Sequence, residues 1–499
     1  MRRPSRGRRA ARHALAAVGA TVVFATIPAG ASPAPPGADP ISWSPCPGQP
    51  QDQCGSVRVP IDYAHPSAGS IDLAVIRRPA SGPGPALGDL LFNPGGPGLS
   101  AVGLFDLFAA ALPADVARRF DLVSFDERGT GGSDRLACGP GTAALTAAVP
   151  ASDAPGKALP GTPLYARLAA DCRRRYPTLL PFVDTTNSAR DMDRVRRALG
   201  ARRIDYYGVS YGTALGAEYA TLFPRRVAAM VLDGGFDPTE PLAGQAADEA
   251  PALATSLRRY LARCGGQAPC PLGPDPVAAY AAVFASLAAH PLPPPGGADV
   301  QPVTTGDLLA ATLFALSSPG FTPGFPAAVA RAGEGDGAPL AALATTFGED
   351  AGGVALAPAQ WAYICQDARD HPGPRATGTL AWALARRHPP AGAAAVTNNL
   401  AGCVAWPPAR QPIAGLHGPS GLPALVIGGT GDPNVPYTDA ARLARTLRRA
   451  RFVTWVGDGD SWLLNDPSDP CMAGVVGAYL VAGRLPAPGS RCPARGGGA

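Results

Sequence analysis

The stretch Arg203-Ile-Asp-Tyr-Tyr-Gly-Val-Ser-Tyr-Gly212 decides the fold of this chain of 499 residues. Its first half is typical of a buried strand, and an alanine-rich helical run follows as far as Phe223. A strand that turns sharply into a helix needs small residues on both sides of the turn, which Gly208 and Gly212 supply. The turn would hold the hydroxyl of Ser210 above the edge of a sheet, beside the positive end of the helix. We therefore predict that Ser210 is a nucleophile.

Strands and helices alternate on both sides of this turn. Two strands around a Pro/Gly turn are predicted in residues 56–78, and a helix over residues 187–199 ends at Gly200. Alternation of strands with helices is typical of a mostly parallel sheet covered on both faces, so the predicted fold class is α/β. The remaining predicted strands are short runs at residues 89–92, 120–125, 227–233, 424–427 and 451–456.

The segment 241–410 lacks this alternation. Alanine-rich helical runs dominate it and the strand signals fade, which predicts a helical cap inserted into the α/β core. The core is therefore predicted to consist of a first part, residues 32–240, and a carboxyl-terminal part, residues 411–499.

Residues 1–31 have the features of a secretory signal peptide. Residues 1–13 are basic, residues 14–27 are apolar, and Ala29-Gly-Ala31 offers a cleavage site of small residues. The apolar run is shorter than the ~20 residues that a membrane-spanning helix needs. We therefore expect a secreted, extracellular chain that starts near Ser32 and has no membrane anchor after cleavage.

The charge of the chain argues against nucleic acid and membranes as main partners. The six arginines of residues 1–31 account for more than the whole net charge of +5, which leaves −1 on the mature chain. A near-neutral chain lacks the basic surface that polyanions need. We predict no metal and no cofactor, since the sequence has no CxxC, no HExxH and no other His/Cys cluster at ligand spacing.

Ten cysteines follow the predicted signal peptide. An even number of cysteines in an exported chain indicates disulfides. Sequence alone does not fix their connectivity, but the short spacings favour five neighbouring pairs. These pairs are Cys46–Cys54, Cys138–Cys172, Cys264–Cys270, Cys365–Cys403 and Cys471–Cys492.

The glycine-rich loop Asn93-Pro-Gly-Gly-Pro-Gly98 follows an early predicted strand. Proline has no backbone N–H, so the glycines are the donors among the Gly and Pro residues of this loop. We expect the N–H of Gly96 and the N–H of Tyr211, directly after the predicted nucleophile, to form an oxyanion hole.

Six segments together resemble the secreted tripeptidyl aminopeptidase and proline iminopeptidase-like group of α/β-hydrolase peptidases. They span roughly residues 45–240 and 400–495, and the cap resembles the family only around Ile364-Cys-Gln-Asp367. The resemblance implies an α/β-hydrolase fold, a TAP-like carboxyl-terminal region and an exopeptidase that removes short amino-terminal units from peptides. The segments are Val59-Pro-Ile-Asp-Tyr63, Asn93-Pro-Gly-Gly-Pro-Gly98, Asp126-Glu-Arg-Gly-Thr-Gly-Gly-Ser133, Tyr206-Tyr-Gly-Val-Ser-Tyr-Gly-Thr213, Val231-Leu-Asp-Gly234 and Gly431-Asp-Pro-Asn-Val-Pro436.

The resemblance assigns the acid of a Ser–Asp–His triad to Asp432, which follows a predicted strand. Its role would be to orient and stabilise an imidazolium. The family's histidine follows the next strand in a Gly-x-Gly-His loop, but here that loop reads Gly457-Asp-Gly-Asp460-Ser461. Asp460 therefore occupies the histidine slot, and no histidine follows Asp432. The six histidines are His13, His65, His290, His371, His388 and His417.

An aspartate with ordinary properties replaces this histidine poorly. Its unperturbed pKa is ~3.9, against ~6.5 for histidine, so at neutral pH it accepts a serine proton weakly and holds little proton for a leaving amine. Loss of the triad base can cost on the order of 10^6 in turnover, while the oxyanion hole and substrate binding retain ~10^3–10^4 over water. Efficient amide hydrolysis by the usual triad is therefore not expected.

Three interpretations stay open at this point. In the first, the chain is a weak or altered serine hydrolase in which Asp432 and Asp460 share a proton, with activity on activated esters at acidic pH. In the second, it is a catalytically silent protein that binds peptides or related ligands. In the third, His417 or a cap histidine, His371 or His388, supplies the base.

The expected substrates are peptides or small esters and amides. An aminopeptidase holds the ammonium group of its substrate with carboxylates, and Asp367 in the cap is the candidate for this contact. Arg128 and Asp126 are expected to brace the loops around the site rather than to react.

Overall fold

The computed structural model describes residues 39–139, 145, 154–266, 269–293, 301–348 and 357–493. The predicted signal peptide and its cleavage site lie outside the described residues. Within these ranges no helix is both long and apolar enough to cross a membrane.

One sheet of ten strands forms the centre of the described part. The strands are β1 (Ser44–Cys46), β2 (Gln49–Pro60), β3 (Ser70–Arg78), β4 (Asp89–Asn93), β5 (Asp121–Phe125), β6 (Ile204–Val209), β7 (Val227–Asp233), β8 (Leu425–Gly431), β9 (Arg451–Asp458) and β10 (Arg491–Cys492). Their order in the sheet is β1-β2-β3-β5-β4-β6-β7-β8-β9-β10. The seven strands β4 to β10 run parallel to one another. At one end of the sheet, β1 pairs antiparallel with β2, β2 with β3, and β3 with β5. The predicted mostly parallel sheet is confirmed.

Helices cover both faces of this sheet. The core helices are α1 (Phe105–Ala111), α2 (Ala114–Arg119), α3 (Thr162–Arg175), α4 (Thr185–Ala198), α5 (Tyr211–Leu222), α14 (Tyr437–Thr446), α15 (Trp462–Asn465) and α16 (Pro470–Ala482). Successive strand residues enter separate apolar cores because side chains alternate along a strand. Thus Tyr206 lies in one core and Tyr207 in the other.

Eight further helices of the described part fall within the predicted cap segment. Their apolar side chains form a third core that includes Leu253, Leu308 and Phe325. These helices are α6 (Leu242–Gly265), α7 (Pro276–Ala289), α8 (Thr305–Ser317), α9 (Phe325–Gly333), α10 (Ala338–Gly348), α11 (Ala357–Asp367), α12 (Pro374–Arg387) and α13 (Ala391–Asn399).

Helices α6 and α8 dock on the carboxyl ends of β8 and β9. The hydroxyl of Ser256 on α6 donates to the carbonyl of Gly431 at 3.1 Å. Arg259 Nη2, also on α6, donates to Asp458 Oδ1 at 2.5 Å. The carbonyl of Ser317, the last residue of α8, accepts from the N–H of Asp460 at 3.0 Å. These contacts fix the helices directly above the loops that follow the two strands.

The five predicted disulfides are confirmed. Two of them tie strands to their neighbours, since Cys46–Cys54 joins β1 to β2 and Cys471–Cys492 joins α16 to β10. The others are Cys138–Cys172, Cys264–Cys270 and Cys365–Cys403.

Strand β4 is the switch point of the sheet, where the next two strands along the chain lie on opposite sides. Strand β5 lies on one side of β4 and strand β6 on the other, so the loops after β4 and β6 open side by side at the carboxyl edge of the sheet. Asn93, the last residue of β4, is in register with Gly208 of β6. This topology brings the glycine-rich loop next to Ser210.

Candidate active site

Ser210 lies on a strained turn between β6 and α5. Its φ is 54° and its ψ is −126°, a backbone conformation that residues other than glycine rarely adopt. The turn leaves no room for side chains at its flanks. A Cβ on Gly208 would stand 2.3 Å from the carbonyl oxygen of Gly212, and a Cβ on Gly212 would stand 2.6 Å from the carbonyl oxygen of Asn93. The glycines therefore allow the turn that exposes the Ser210 hydroxyl to a cavity.

The glycine-rich loop reaches the cavity through Gly96, whereas Gly95 and Gly98 are not among the described lining residues. The N–H of Gly95 already donates to Asn93 Oδ1 at 2.9 Å, so Gly96 is the candidate donor of this loop. Tyr211 is the first residue of α5, so its N–H has no acceptor within the helix. Gly96, Ser210 and Tyr211 all line the same cavity.

Asp432 directly follows β8 and is 3% exposed. Its Oδ1 accepts from the N–H groups of Asn434 at 3.0 Å and Val435 at 2.8 Å. Its Oδ2 is buried and has no hydrogen-bond partner among the described residues. Burial, followed by the charge of Asp460, raises the pKa of Asp432 well above its usual range.

Asp460 lies between β9 and α15 and is half-buried, at the wall of the cavity. Its Oδ1 also has no hydrogen-bond partner in the described part of the chain. Burial raises the pKa of Asp460 to about 7, although interactions with the Ser210 hydroxyl and the Asn434 amide favour the ionised form. A Cβ on Gly234 would stand 3.4 Å from Asp460 Oδ1 and 3.5 Å from Asp432 Oδ2, so the two unpartnered oxygens lie within about 7 Å of each other.

The site thus brings together the three residues that the sequence assigns to a triad. Ser210 and Asp460 line the same cavity, whereas Asp432 is not among the described residues that line it. The three histidines considered as an alternative base, His371, His388 and His417, do not line this cavity. His371 Nε2 is 2.8 Å from the carbonyl oxygen of Cys365, and His417 lines a separate surface pocket. No histidine is among the described residues that line the cavity.

The cavity has a volume of about 1130 Å³ and two kinds of wall. Apolar side chains dominate one part, where Leu107 and Phe321 are 37% and 53% exposed and mark the opening to solvent. A polar part is formed by α6 and α13, which contribute Glu249, Asn398 and Asn399. The cavity therefore offers an apolar opening and a buried carboxyl group.

Glu249 is a site residue to which the sequence alone does not point. It is 2% exposed, and its carboxyl group accepts from Asn399 Nδ2 at 2.5 Å and from Asn398 Nδ2 at 3.2 Å. Burial raises the pKa of Glu249 to about 8, which the two asparagines oppose and the charge of Asp460 reinforces. Its helix reads as one of many alanine-rich runs, and its asparagine partners are about 150 residues away in the sequence.

Asp367 also lines the cavity and is 6% exposed. Both of its oxygens are engaged by Thr185, whose N–H donates to Oδ1 at 2.9 Å and whose hydroxyl donates to Oδ2 at 2.6 Å. The Thr185 hydroxyl also contacts the hydroxyl of Tyr211. Burial and the charge of Asp184 raise the pKa of Asp367 well above its usual range. Asp367 is therefore linked through Thr185 to Tyr211, the residue after the predicted nucleophile.

Arg128 and Asp126 support the loops around the site. Arg128 is fully buried and forms a two-pronged ion pair with Asp191, with both N···O distances at 2.7 Å. Asp126 Oδ1 accepts from the Ser100 hydroxyl at 2.8 Å and from the Val102 N–H at 3.0 Å. In the described ranges no group of three or more His, Cys, Asp or Glu side chains is arranged to hold a metal ion.

The chain is similar to known proteins over most of its length. The family model for the alpha/beta hydrolase fold matches residues 90–467. The chain is 31% identical over 500 residues to the serine protease Hip1 of Mycobacterium tuberculosis, with 91% of each chain covered. It is 32% identical over 460 residues to the tripeptidyl aminopeptidase of Streptomyces lividans, covering 88% of this chain and 83% of that relative. It is 34% identical over 466 residues to carboxylesterase B of Mycobacterium tuberculosis, covering 88% of this chain and 86% of that relative.

From the raised pKa values of the buried carboxyl groups we predict that the folded protein is more stable at pH 5 than at pH 8. Burial raises the pKa of both Glu127 and Glu249 to about 8. A raised pKa means that the folded state binds more protons than the unfolded state, so the free energy of unfolding falls as pH rises from about 4 to about 8. We expect urea unfolding to give a larger free energy of unfolding at pH 5 than at pH 8.

Glu127→Gln should reduce this difference by ~1–3 kcal/mol, because a neutral amide does not have to be ionised in a buried site. Glu334→Gln, at an exposed position, is the matched control and should leave the difference unchanged. Equal stability of the wild-type protein at both pH values would contradict the raised pKa values.

Proposed function

This chain belongs to the α/β-hydrolase family, and we propose that it is a secreted serine hydrolase of the aminopeptidase type, which releases short amino-terminal units from peptides. In this proposal Ser210 is the nucleophile, Gly96 and Tyr211 provide the oxyanion hole, and Asp460 acts as the base in place of histidine. The serine protease and tripeptidyl aminopeptidase relatives support the reaction class.

The burial of Asp460 beside Ser210 carries the proposal. An aspartate with a pKa of ~3.9 is too weak a base for a serine hydroxyl, whereas a group that titrates near the working pH can both accept a proton and return it. The pKa of Asp460 is raised to about 7. Because the base acts in its ionised form, activity should increase as pH passes 7, which differs from the acidic optimum expected from sequence.

The chemical steps follow those of a serine hydrolase. Ser210 Oγ attacks the carbonyl carbon of the substrate while its proton passes to Asp460. The N–H groups of Gly96 and Tyr211 stabilise the negative charge that develops on the carbonyl oxygen. Protonated Asp460 then gives its proton to the leaving amine, the C–N bond breaks, and the acyl group stays on Ser210. Asp460 then takes a proton from water, the hydroxide attacks the ester carbonyl, and the bond to Ser210 Oγ breaks. Protonated Asp460 returns its proton to Ser210 Oγ as the carboxylic acid product leaves.

Asp432 has a different role from the acid of a triad, because Asp460 gives it no imidazolium to orient. Two buried carboxyl groups that repel one another hold a single proton over a wide pH range. We assign this proton to Asp432 Oδ2, since Oδ1 already accepts from the N–H groups of Asn434 and Val435. Asp460 is then the ionised member of the pair at the pH of catalysis.

Glu249 is the favoured contact for the ammonium group of a peptide substrate. It lines the cavity, and its two asparagine partners hold its carboxyl group in one orientation. The main influences on its pKa are burial, the two asparagines and Asp460, and none of them is a cation. A bound ammonium group would stabilise its ionised form through a charge-assisted hydrogen bond. Asp367, the candidate from sequence, has both oxygens engaged by Thr185.

Ester hydrolysis is the second candidate function. Apolar side chains such as Leu309 and Leu313 line the cavity, and one relative carries the name carboxylesterase B. An alcohol leaves with less proton assistance than an amine, so a carboxylate base suits esters better than amides.

Export is part of the proposal. Five disulfides and a sequence with the features of a signal peptide support it. Disulfides of this number persist in oxidising compartments.

The first test combines active-site labelling with turnover. We expect the wild-type protein to react with a fluorophosphonate probe and to cleave an amino-terminal tripeptide chromogenic substrate, with kcat/KM increasing as pH passes about 7. Ser210→Ala should abolish both, and His417→Ala should change neither. Asp460→His should raise peptide turnover by ~10^2 or more, because the longer histidine side chain reaches Ser210 more easily and can be oriented by Asp432.

Each other outcome selects a different interpretation. A wild-type protein without labelling or turnover, and an active Asp460→His variant, would identify a catalytically silent binding protein. Loss of activity in His417→Ala would assign the base to a histidine. Turnover of p-nitrophenyl esters without turnover of peptides would select the esterase.

A second prediction concerns the proton on Asp432. Replacing the acid of a conventional triad with asparagine costs ~10^4 in turnover. Asparagine mimics a protonated carboxyl group, so Asp432→Asn should keep wild-type turnover to within ~10-fold. In an Asp460→His background, where Asp432 must be ionised, the same change should cost ~10^3–10^4. Comparable losses of kcat in both backgrounds would mean that Asp432 is ionised in the wild-type protein.

A third prediction concerns the ammonium contact. Glu249→Gln should raise KM by ~10-fold or more for a peptide with a free amino terminus and leave KM for its amino-acetylated counterpart unchanged, because only the first substrate carries the charge. Asp367→Asn is the matched control and should keep the preference for the free amino terminus. If Asp367→Asn removes the preference and Glu249→Gln keeps it, the candidate from sequence is the correct one.

A further inference from the structure

Asp233, the last residue of β7, contacts both sides of the site. It is fully buried. Its backbone carbonyl accepts from the N–H of Ser210 at 2.9 Å. Its carboxylate accepts from the N–H groups of Trp462 at 3.1 Å and Leu463 at 2.9 Å, which begin the helix that follows Asp460. One residue therefore joins the turn of the proposed nucleophile to the segment that carries the proposed base.

We propose that Asp233 is a positioning residue that holds Asp460 against Ser210 and sets the electrostatic environment in which Asp460 gains and loses its proton. The proposal rests on the proposed function, because it concerns the same reaction. It assigns to Asp233 no contact with substrate.

The position of Asp233 explains why its carboxylate can act on Asp460. Strand β7 lies between β6, which leads to Ser210, and β8, which leads to Asp432, and the segment after Asp460 folds back over its end. The carboxylate is fixed at both oxygens, since Oδ2 also accepts from the hydroxyl of Tyr207 at 2.9 Å. A shift of α15 would therefore move Asp460 relative to Ser210.

The charged groups around Asp460 are mainly acidic. Asp233 lies at the end of β7, Asp432 follows β8, and Glu249 faces Asp460 from α6. Burial raises the pKa of Asp233 to about 6, which three backbone N–H groups and the Tyr207 hydroxyl oppose. Asp233 is thus ionised before Asp460 as pH rises, and its negative charge favours the protonated form of Asp460.

The titration of Asp460 distinguishes a merely structural role of Asp233 from the proposed positioning role. If Asp233 only anchors the start of α15, its replacement should lower stability and turnover without moving the pH at which Asp460 titrates. If it acts as proposed, removal of its charge should shift the titration of Asp460 to lower pH.

The experiment compares Asp233→Asn with Asp205→Asn. Asp205 is a buried aspartate of β6, and it lies toward the amino end of the strand, whereas Asp233 is at the carboxyl edge of the sheet. Two readouts are used: the pH dependence of kcat/KM, and the titration of the Asp460 carboxyl carbon by NMR in protein with isotope-labelled aspartate, assigned with Asp460→Asn.

We expect Asp233→Asn to move the midpoint of both titrations down by ~0.5 pH unit or more and to lower kcat by ~10-fold or more with little change in KM. Asp205→Asn should change neither midpoint. An unchanged Asp460 midpoint in Asp233→Asn overturns the proposal, whatever happens to turnover. The NMR titration needs no turnover, so an inactive wild-type protein would refute the proposed function and still leave the effect of Asp233 on Asp460 measurable.

Discussion

The desolvation of carboxyl groups at the carboxyl edge of the sheet is the constraint on which the site depends. Asp233 ends β7, Asp432 and Asp460 follow the neighbouring strands β8 and β9, and burial is the first cause of the raised pKa of each. The other main influences are backbone N–H groups, neighbouring side chains and the aspartates themselves, with no cation among them. Such a site holds protons that an exposed aspartate would release, and this gives Asp460 the pKa that a proton-transfer group needs.

An imidazole and a buried carboxyl group reach a similar pKa by different routes. Histidine titrates near neutrality in water, so a triad needs only to orient it. An aspartate reaches the same range only where water is excluded, and the folded protein is destabilised at neutral pH by the cost of ionising it there. The strained turn at Ser210 adds to this cost, which matches the general rule that functional sites carry local conflicts that the rest of the fold offsets.

Local sequence patterns were sufficient to predict the strands and helices of the core, and insufficient to predict the pKa values of the buried carboxyl groups. The predicted strand at residues 227–233 matches β7 in both bounds, and the turn around Ser210 has the strand and helix that its glycines indicate. Glu249 and its asparagine partners could not be found in this way, because they are about 150 residues apart and meet only through the packing of α6 on α13. The pKa of Asp460 could not be found either, because it depends on burial by segments that no local pattern connects.

The cap links substrate binding to the proposed base. Helix α8 holds the loop of Asp460 through the carbonyl of Ser317, and helix α6 both contacts Gly431, next to Asp432, and carries Glu249. Glu249 and Asp460 repel each other when both are ionised. An ammonium group bound at Glu249 would offset this repulsion, so a cationic substrate would favour the ionised form of Asp460 at the moment when a base is required. A cap that carries Glu249 would thus affect both which substrate binds and whether the proposed base is ionised when the substrate is bound.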